Sequence, residues 1–269
     1  MGKETGIKWT DSTFNSWWGC TKVGPACDHC YAEGVDKRTG ENHWGRGAPR
    51  RLLSEHARNE PFRWQKQADK FEAEHGRRRR VFTLSMGDLF DNEVPNEWRR
   101  QHMATMEACD RLEWQVCTKR VSNIAKMVPE HWVPDAGDEP RPFWPKHIGV
   151  LITIVTQAEA DRDVPRLREL KSRFGIPWVG ISYEPAQEAI DWRPHLAVPY
   201  FSAVDWIIFG GKSGASWNDR PFSLDWARQT RDQCADAGAA FFMKQVAAFR
   251  PTDDMIPADL MTRQWPKGH

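Results

Sequence analysis

No stretch of this sequence approaches the roughly 20 consecutive apolar residues that span a bilayer, which excludes a membrane-spanning helix. The first residues, MGKETGIKWTDS, carry no apolar run of the secretory kind. The expectation is a cytoplasmic protein in a reducing compartment, with no membrane partner. Charge of one sign is lacking too: 38 basic against 37 acidic residues leave a formal +1. That excludes a globally basic coat for nucleic acid, so any such contact must be a local patch. No internal repeat and no low-complexity segment occurs. No second C-x2-C is present to complete a four-cysteine zinc site, and no GKS/T has the spacing of a phosphate-cradling Walker loop.

What is present is an ordinary globular balance, 40% hydrophobic and 28% charged over 269 residues. That length suits one large domain or two small ones. Tryptophan is abundant, with 15 residues, each a large rigid face for a core or a cleft. Of six cysteines, three crowd into eleven residues: Cys20, Cys27 and Cys30, spaced C-x6-C-x2-C in GCTKVGPACDHCYA. Cys109, Cys117 and Cys234 are scattered and read as small buried hydrophobes.

In a reducing compartment, clustered cysteines in a Gly/Pro loop point to metal or redox work rather than a disulfide. His29 is flanked too closely by Cys27 and Cys30 to share an ion with them. Three thiolates can hold an iron–sulfur cube and leave one iron open. A zinc site and a redox thiol pair stay open beside that reading.

After the loop, strands and helices alternate. VFTLSMGDLF (81–90), WQVCTKR (114–120), HIGVLITIVT (147–156), PWVGISYEP (177–185), VDWIIFGG (204–211) and AAFFMKQ (239–245) read as strands, with one more expected near the cysteine loop. Segments 96–112, 121–128, 158–174 and 223–238 read as helices, the first capped by Asn96, the last capped by Ser223 and stopped by Gly238. Such alternation implies parallel β/α units, and the expected fold class is α/β, a partial (β/α)6 barrel. We expect one domain over 1–250, with insertions near 39–62 and 129–146 and a surface tail at 251–269. Segment 129–146 is a candidate cover for a site. The strand ends Ser85–Asp88, Thr118–Arg120, Thr156–Gln157, Ser182–Glu184, Lys212–Ser213 and Lys244–Gln245 are polar, where a parallel α/β fold places its chemistry.

The segments FNSWWGCTKVGPACDHCYAE (14–33), FTLSMGDLFDNEVP (82–95), CTKR (117–120), GISYEP (180–185), GGKSGASWNDRPF (210–222) and DQCADAGAAFFMKQ (232–245) occur in one order. In that order the chain resembles the phage Gp37/Gp68 family of radical-SAM-like proteins. The resemblance implies a barrel of radical SAM type, a [4Fe-4S] cluster on Cys20, Cys27 and Cys30, and S-adenosylmethionine (SAM). Two positions depart from the family's pattern. Lys212 stands where an acidic residue usually follows the double glycine, and the strand end ITIVTQ replaces a Ser–x–Glu–Asn-like end.

The resemblance also implies roles. Tyr31, the aromatic after the last cysteine, is placed to pack near the adenine. Asp88 would accept from the SAM amino group, Lys119 would hold its carboxylate, and Glu184 would meet the SAM ribose or the substrate. Lys212 and Lys244 are candidates, with Glu184, for catalysis or for gripping a substrate carboxylate or phosphate, as is Arg120. Gly210, Gly211 and Gly214 would let backbone approach a ligand.

Two basic segments read as grips on a nucleic-acid backbone: Arg77, Arg78, Arg79 and Arg80, then Arg50 and Arg51 with Arg46. Trp44, Trp132, Trp144 and Trp217 offer stacking faces for bases. The expected activity is a radical SAM reaction on a modified base in DNA, the isomerisation of a glycinyl-thymine, served by an electron donor such as flavodoxin. A DNA-lesion lyase resembling spore photoproduct lyase and a zinc-containing DNA-binding module are the alternatives.

Overall fold

A computed structural model of the chain describes residues 5–134, 144–196 and 204–266. Its strands are β1 (Ser12–Phe14), β2 (Trp17–Trp18), β3 (Arg51–Leu52), β4 (Arg79–Thr83), β5 (Leu112–Thr118), β6 (Ile148–Thr153), β7 (Val179–Tyr183), β8 (Trp206–Gly210) and β9 (Ala240–Gln245). The main sheet has seven strands in the order β1-β4-β5-β6-β7-β8-β9, and β2 pairs with β3 in a small second one. The fold is α/β with parallel strands, of the partial-barrel class. Its seventh strand is β1, the extra strand expected near the cysteine loop.

The chain divides into two compact units, Met1–Val150 with Ser172–Pro177, and Leu151–Lys171 with Trp178–His269. In the first, β1 pairs in parallel with β4, and β4 with β5. All seven residues of β5 except Cys117 are buried. The core around it holds Phe14, Trp17 and Trp114. Trp132 packs on Trp144 at 5.0 Å between ring centres, and Trp144 on Phe174 at 6.2 Å. These two tryptophans are core, not stacking faces for bases, because each is almost fully buried. Residues 135–143 of the expected cover lie outside the described residues.

Segment 39–62 is less irregular than its composition implies. Arg51 and Leu52 pair with Trp18 and Trp17, and a helix begins at Glu55, its N-terminus capped by Ser54 accepting from the Ala57 amide at 3.4 Å. The helix Asn96–Ala108 starts one residue early: Pro95 takes the capping position and Asn96 is already helical.

In the second unit β7, β8 and β9 pair in parallel, every residue of β7 and β8 being buried. The helix Leu224–Ala237 runs between the expected cap and stop. Ser223 accepts from the Asp225 amide, and Gly238 takes the left-handed conformation at φ 72°. The expected surface tail is instead pinned over residues 251–266. The Met243 amide donates to the Thr262 carbonyl at 2.8 Å, the Gln264 amide donates to the Phe241 carbonyl at 3.0 Å, and Leu260 is fully buried. The backbone of β9 offers an open edge there, and this segment satisfies it.

Candidate active site

The three clustered cysteines sit on a loop that the first unit holds from several sides. Gly19 bridges to Gly87 beyond β4, its amide donating to the Met86 carbonyl at 3.0 Å, while the Gly45 amide donates to the Cys20 carbonyl at 2.9 Å. Only glycine fits at position 19. Its φ is 114°, and a Cβ there would lie 2.5 Å from the His43 carbonyl oxygen. Cys27 closes a short 3-10 turn, Pro25–Cys27. His29 then takes a left-handed φ of 55°, which turns the chain so that Cys30 reaches the N-cap of the helix Tyr31–Arg38. There the helix dipole favours negative charge. His29 itself points into solvent.

Cys20, Cys27 and Cys30 are free thiols, and all three line one pocket that opens to solvent. Tyr31, Ala32, Trp44, Phe82, Leu84, Ser85, Asp88, Cys117 and Lys119 complete most of its wall. Leu84, like His29, has positive φ, at 59°. Strain in non-glycine backbone thus falls at the pocket, where it costs on the order of 1–3 kcal/mol per residue. Cys20 and Cys30 also pack on a small apolar cluster of Ala32, Trp44 and Met86. Among the described residues no three His, Cys, Asp or Glu converge tightly enough to hold one metal ion. Three free thiols lining one pocket are nonetheless the donor set that an iron–sulfur cube with one open iron would take.

Burial pushes the Cys20 thiol up to about 12; Asp88 adds to the rise and Arg120 opposes it. Metal binding at Cys20 therefore has to displace a proton. Burial works against the charge on Arg120, but Asp88 holds that guanidinium well above its ordinary value. Desolvation likewise opposes the Lys119 ammonium, and the facing Cys117, Cys27 and Asp88 outweigh it.

A family model described as "Protein of unknown function (DUF5131)" matches residues 4–266. The chain belongs to the DUF5131 family. No curated protein matches the sequence. Among solved structures, it is similar to a spore photoproduct lyase double mutant with bound SAM and dinucleoside spore photoproduct, at 12% identity and a TM-score of 0.43, over 82% of this chain and 60% of that one. It is similar also to a single mutant of spore photoproduct lyase, at 11% identity and 0.42, over 87% of this chain and 64% of that one. The chain thus spans less than two thirds of the length of either.

Within this DUF5131 chain the expected site residues separate. Tyr31 lies at the pocket, 59% exposed, its hydroxyl donating to the Ser85 carbonyl at 2.7 Å. Lys119 lines the pocket as well. Asp88 lines it too, but its acceptor capacity is spent. Oδ1 accepts from the Phe90 amide and the Thr118 hydroxyl, Oδ2 from the Lys119 amide and Arg120. Four bonds fill a carboxylate, so Asp88 is a pin between the ends of β4 and β5 rather than an acceptor for SAM. Arg120 is committed in the same way and is not free for a substrate carboxylate.

Most of the expected nucleic-acid arginines are internal braces. Arg50 is buried against Asp91, at 2.8 Å. Arg77 forks onto Asp11 at 2.6 and 2.8 Å. Arg79 lies over the Phe71 ring at 4.2 Å, and Arg80 is buried 3.6 Å from Glu113. Arg78 and Arg51 are exposed, though Arg78 donates to the Asp110 carbonyl and Arg51 lies over Trp18 at 5.5 Å. Trp44 is buried at the pocket wall, and Trp217 is 39% exposed.

Glu184, Lys212 and Lys244 belong to the second unit. Lys244 is ion-paired with Glu184, whose other carboxylate oxygen has no partner among the described residues. Lys212 lies 3.7 Å from Asp219. Gly211 approaches backbone rather than a ligand: a Cβ there would lie 2.2 Å from the Ala247 nitrogen.

Sequence reasoning missed Cys117, half-buried at the pocket rather than lost in the core. The signal was its place two residues before Lys119, since alternate residues of an extended chain share a face.

Proposed function

We propose that this protein is a radical SAM enzyme whose [4Fe-4S] cluster is held by Cys20, Cys27 and Cys30. The observation that carries the reading is the meeting of these three free thiols in one pocket beyond the ends of parallel strands. Three thiolate ligands leave one iron for a further ligand. When bound, the cluster and SAM supply one-electron cleavage of the sulfonium and a radical that takes hydrogen from an unactivated carbon.

The chain's own residues do the rest. Phe82, Leu84, Ala32 and Trp44 give the pocket an apolar wall that limits water. The Tyr31 hydroxyl, bonded to the Ser85 carbonyl, fixes its ring at the pocket mouth. Lys119 presents a cation for a carboxylate of cofactor or substrate. A small one-electron donor such as flavodoxin completes the system.

For the substrate we propose a glycine-bearing thymine in DNA, rearranged from a nitrogen-linked to a carbon-linked form. The resemblance to phage radical-SAM-like proteins supports this, as does the Lys119 cation, which suits the free carboxylate of such a base. The base must leave the duplex to reach the pocket. Mass spectrometry of nucleosides tests the substrate after incubating glycinyl-thymine DNA with reconstituted protein, reductant and SAM. Conversion to an isomer of equal mass is the expected result. Unchanged DNA would sink the isomerase reading, and turnover of a thymine photodimer in its place would make the protein a lesion lyase. Colourless protein with one zinc per chain and intact SAM would make it a binding module.

A further inference from the structure

Of the three pocket cysteines, Cys20 has a buried cation at its sulfur. Arg120, two residues past the end of β5, donates from Nη1 to Cys20 Sγ at 3.5 Å and to Asp88 Oδ2 at 2.8 Å. Its Nη2 donates to the Thr21 carbonyl and stands 3.6 Å from Asp91 Oδ1. The side chains of Arg120, Asp88 and Asp91 are all more than nine-tenths buried. Behind them Arg50 donates to Asp91 from Nε and Nη2, and from Nη2 to the Thr21 hydroxyl at 2.6 Å. Thr21, the neighbour of Cys20, is therefore gripped from both sides.

The arrangement has a direction. Three carboxylates, Asp88, Asp91 and, 3.5 Å from Arg50, Glu93, surround the two guanidiniums, but a guanidinium, not a carboxylate, touches the sulfur. Reducing an iron–sulfur cluster adds an electron. Hydrogen bonds to the ligating sulfurs and the charge around them set how readily that happens. Resting on the cluster reading above, we propose that Arg120 is a positioning residue for the cluster: it fixes Cys20 in place and raises the reduction potential through its charge and its hydrogen bond to Sγ. Asp88 acts against it, by holding and partly neutralising the same guanidinium.

The experiment is a potentiometric titration followed by electron paramagnetic resonance, without SAM, on reconstituted wild type, Arg120→Gln, Arg120→Lys and Asp88→Asn, with iron counted per chain. The midpoint is expected to move to more negative potential in Arg120→Gln and to less negative potential in Asp88→Asn. Arg120→Lys keeps the charge but loses the fork, and falls between wild type and Arg120→Gln. Should Arg120→Gln fail to fold, the other two carry the test. Midpoints equal to wild type, or shifts of one sign in Arg120→Gln and Asp88→Asn, overturn the proposal while leaving the cluster reading intact. A wild type that takes up no cluster overturns both.

Discussion

His102 shows how much of the first unit is held by single buried polar side chains. Its Nδ1 lies 2.7 Å from the Ser16 hydroxyl and its Nε2 2.5 Å from the Thr83 hydroxyl, with the ring stacked on Phe14. Burial lowers its pKa to about 3, against an ordinary 6.5. The folded protein therefore keeps His102 neutral where the unfolded chain would protonate it. Stability is retained above about pH 6.5 and is lost as pH falls toward 3, by about 1.4 kcal/mol per pH unit from this group. Denaturant melts of metal-free protein at pH 7 and pH 5 check this; a flat profile would contradict it. At the same scale, the grouping of the three cysteines, Tyr31 and Lys119 at one pocket could be read from loop spacing and strand-end position, which survive folding. Asp88, Arg50 and Arg120 were misread, because each owes its role to partners far off in the chain. Asp88, for example, is tied to Thr118, 30 residues away.

Elements were more legible than residues. β6 is a continuous β-branched and aliphatic run, buried at every position, as a parallel strand covered on both faces must be. The helix Gln157–Phe174 kept its apolar period in spite of Pro165. Short elements were not legible: β2 and β3 are two residues each, below the length at which alternation carries a signal. The loop after β8 was read as a ligand cradle from its glycines, and Gly211 turns out to pack on the backbone of the loop after β9. Gly211→Ala pushes a methyl into the Ala247 amide and is expected to destabilise by about 1–3 kcal/mol, the usual scale of overpacking. A thermal melt measures it. An unchanged melting temperature would mean that the two loops separate freely and that the glycine serves something else.

Over the whole molecule, 38 basic residues face 37 acidic ones, and several arginines of the two basic segments meet partners inside the fold. Four consecutive arginines suggested a surface for DNA, yet Arg77, Arg79 and Arg80 hold Asp11, Phe71 and Glu113. Replacing Arg80 by Ala is expected to cost about 3–5 kcal/mol of stability, since it strands the buried Glu113. Replacing Arg78 by Gln is expected to spare the fold and, for the proposed DNA substrate, to lower the salt slope of binding by about one phosphate contact. Calorimetry and anisotropy at several salt concentrations separate the two; equal losses of DNA binding would make the whole arginine run a DNA grip. No helix among the described residues is long and apolar enough to cross a membrane.

The central claim is that Cys20, Cys27 and Cys30 hold a cube with one iron open to SAM. Its most direct test is electron paramagnetic resonance of the anaerobically reconstituted, reduced protein with and without SAM. The account predicts a brown protein whose cluster signal shifts when SAM is added, and which loses both colour and signal when any of the three cysteines becomes alanine. A protein that stays colourless, or a cluster signal indifferent to SAM, would contradict it.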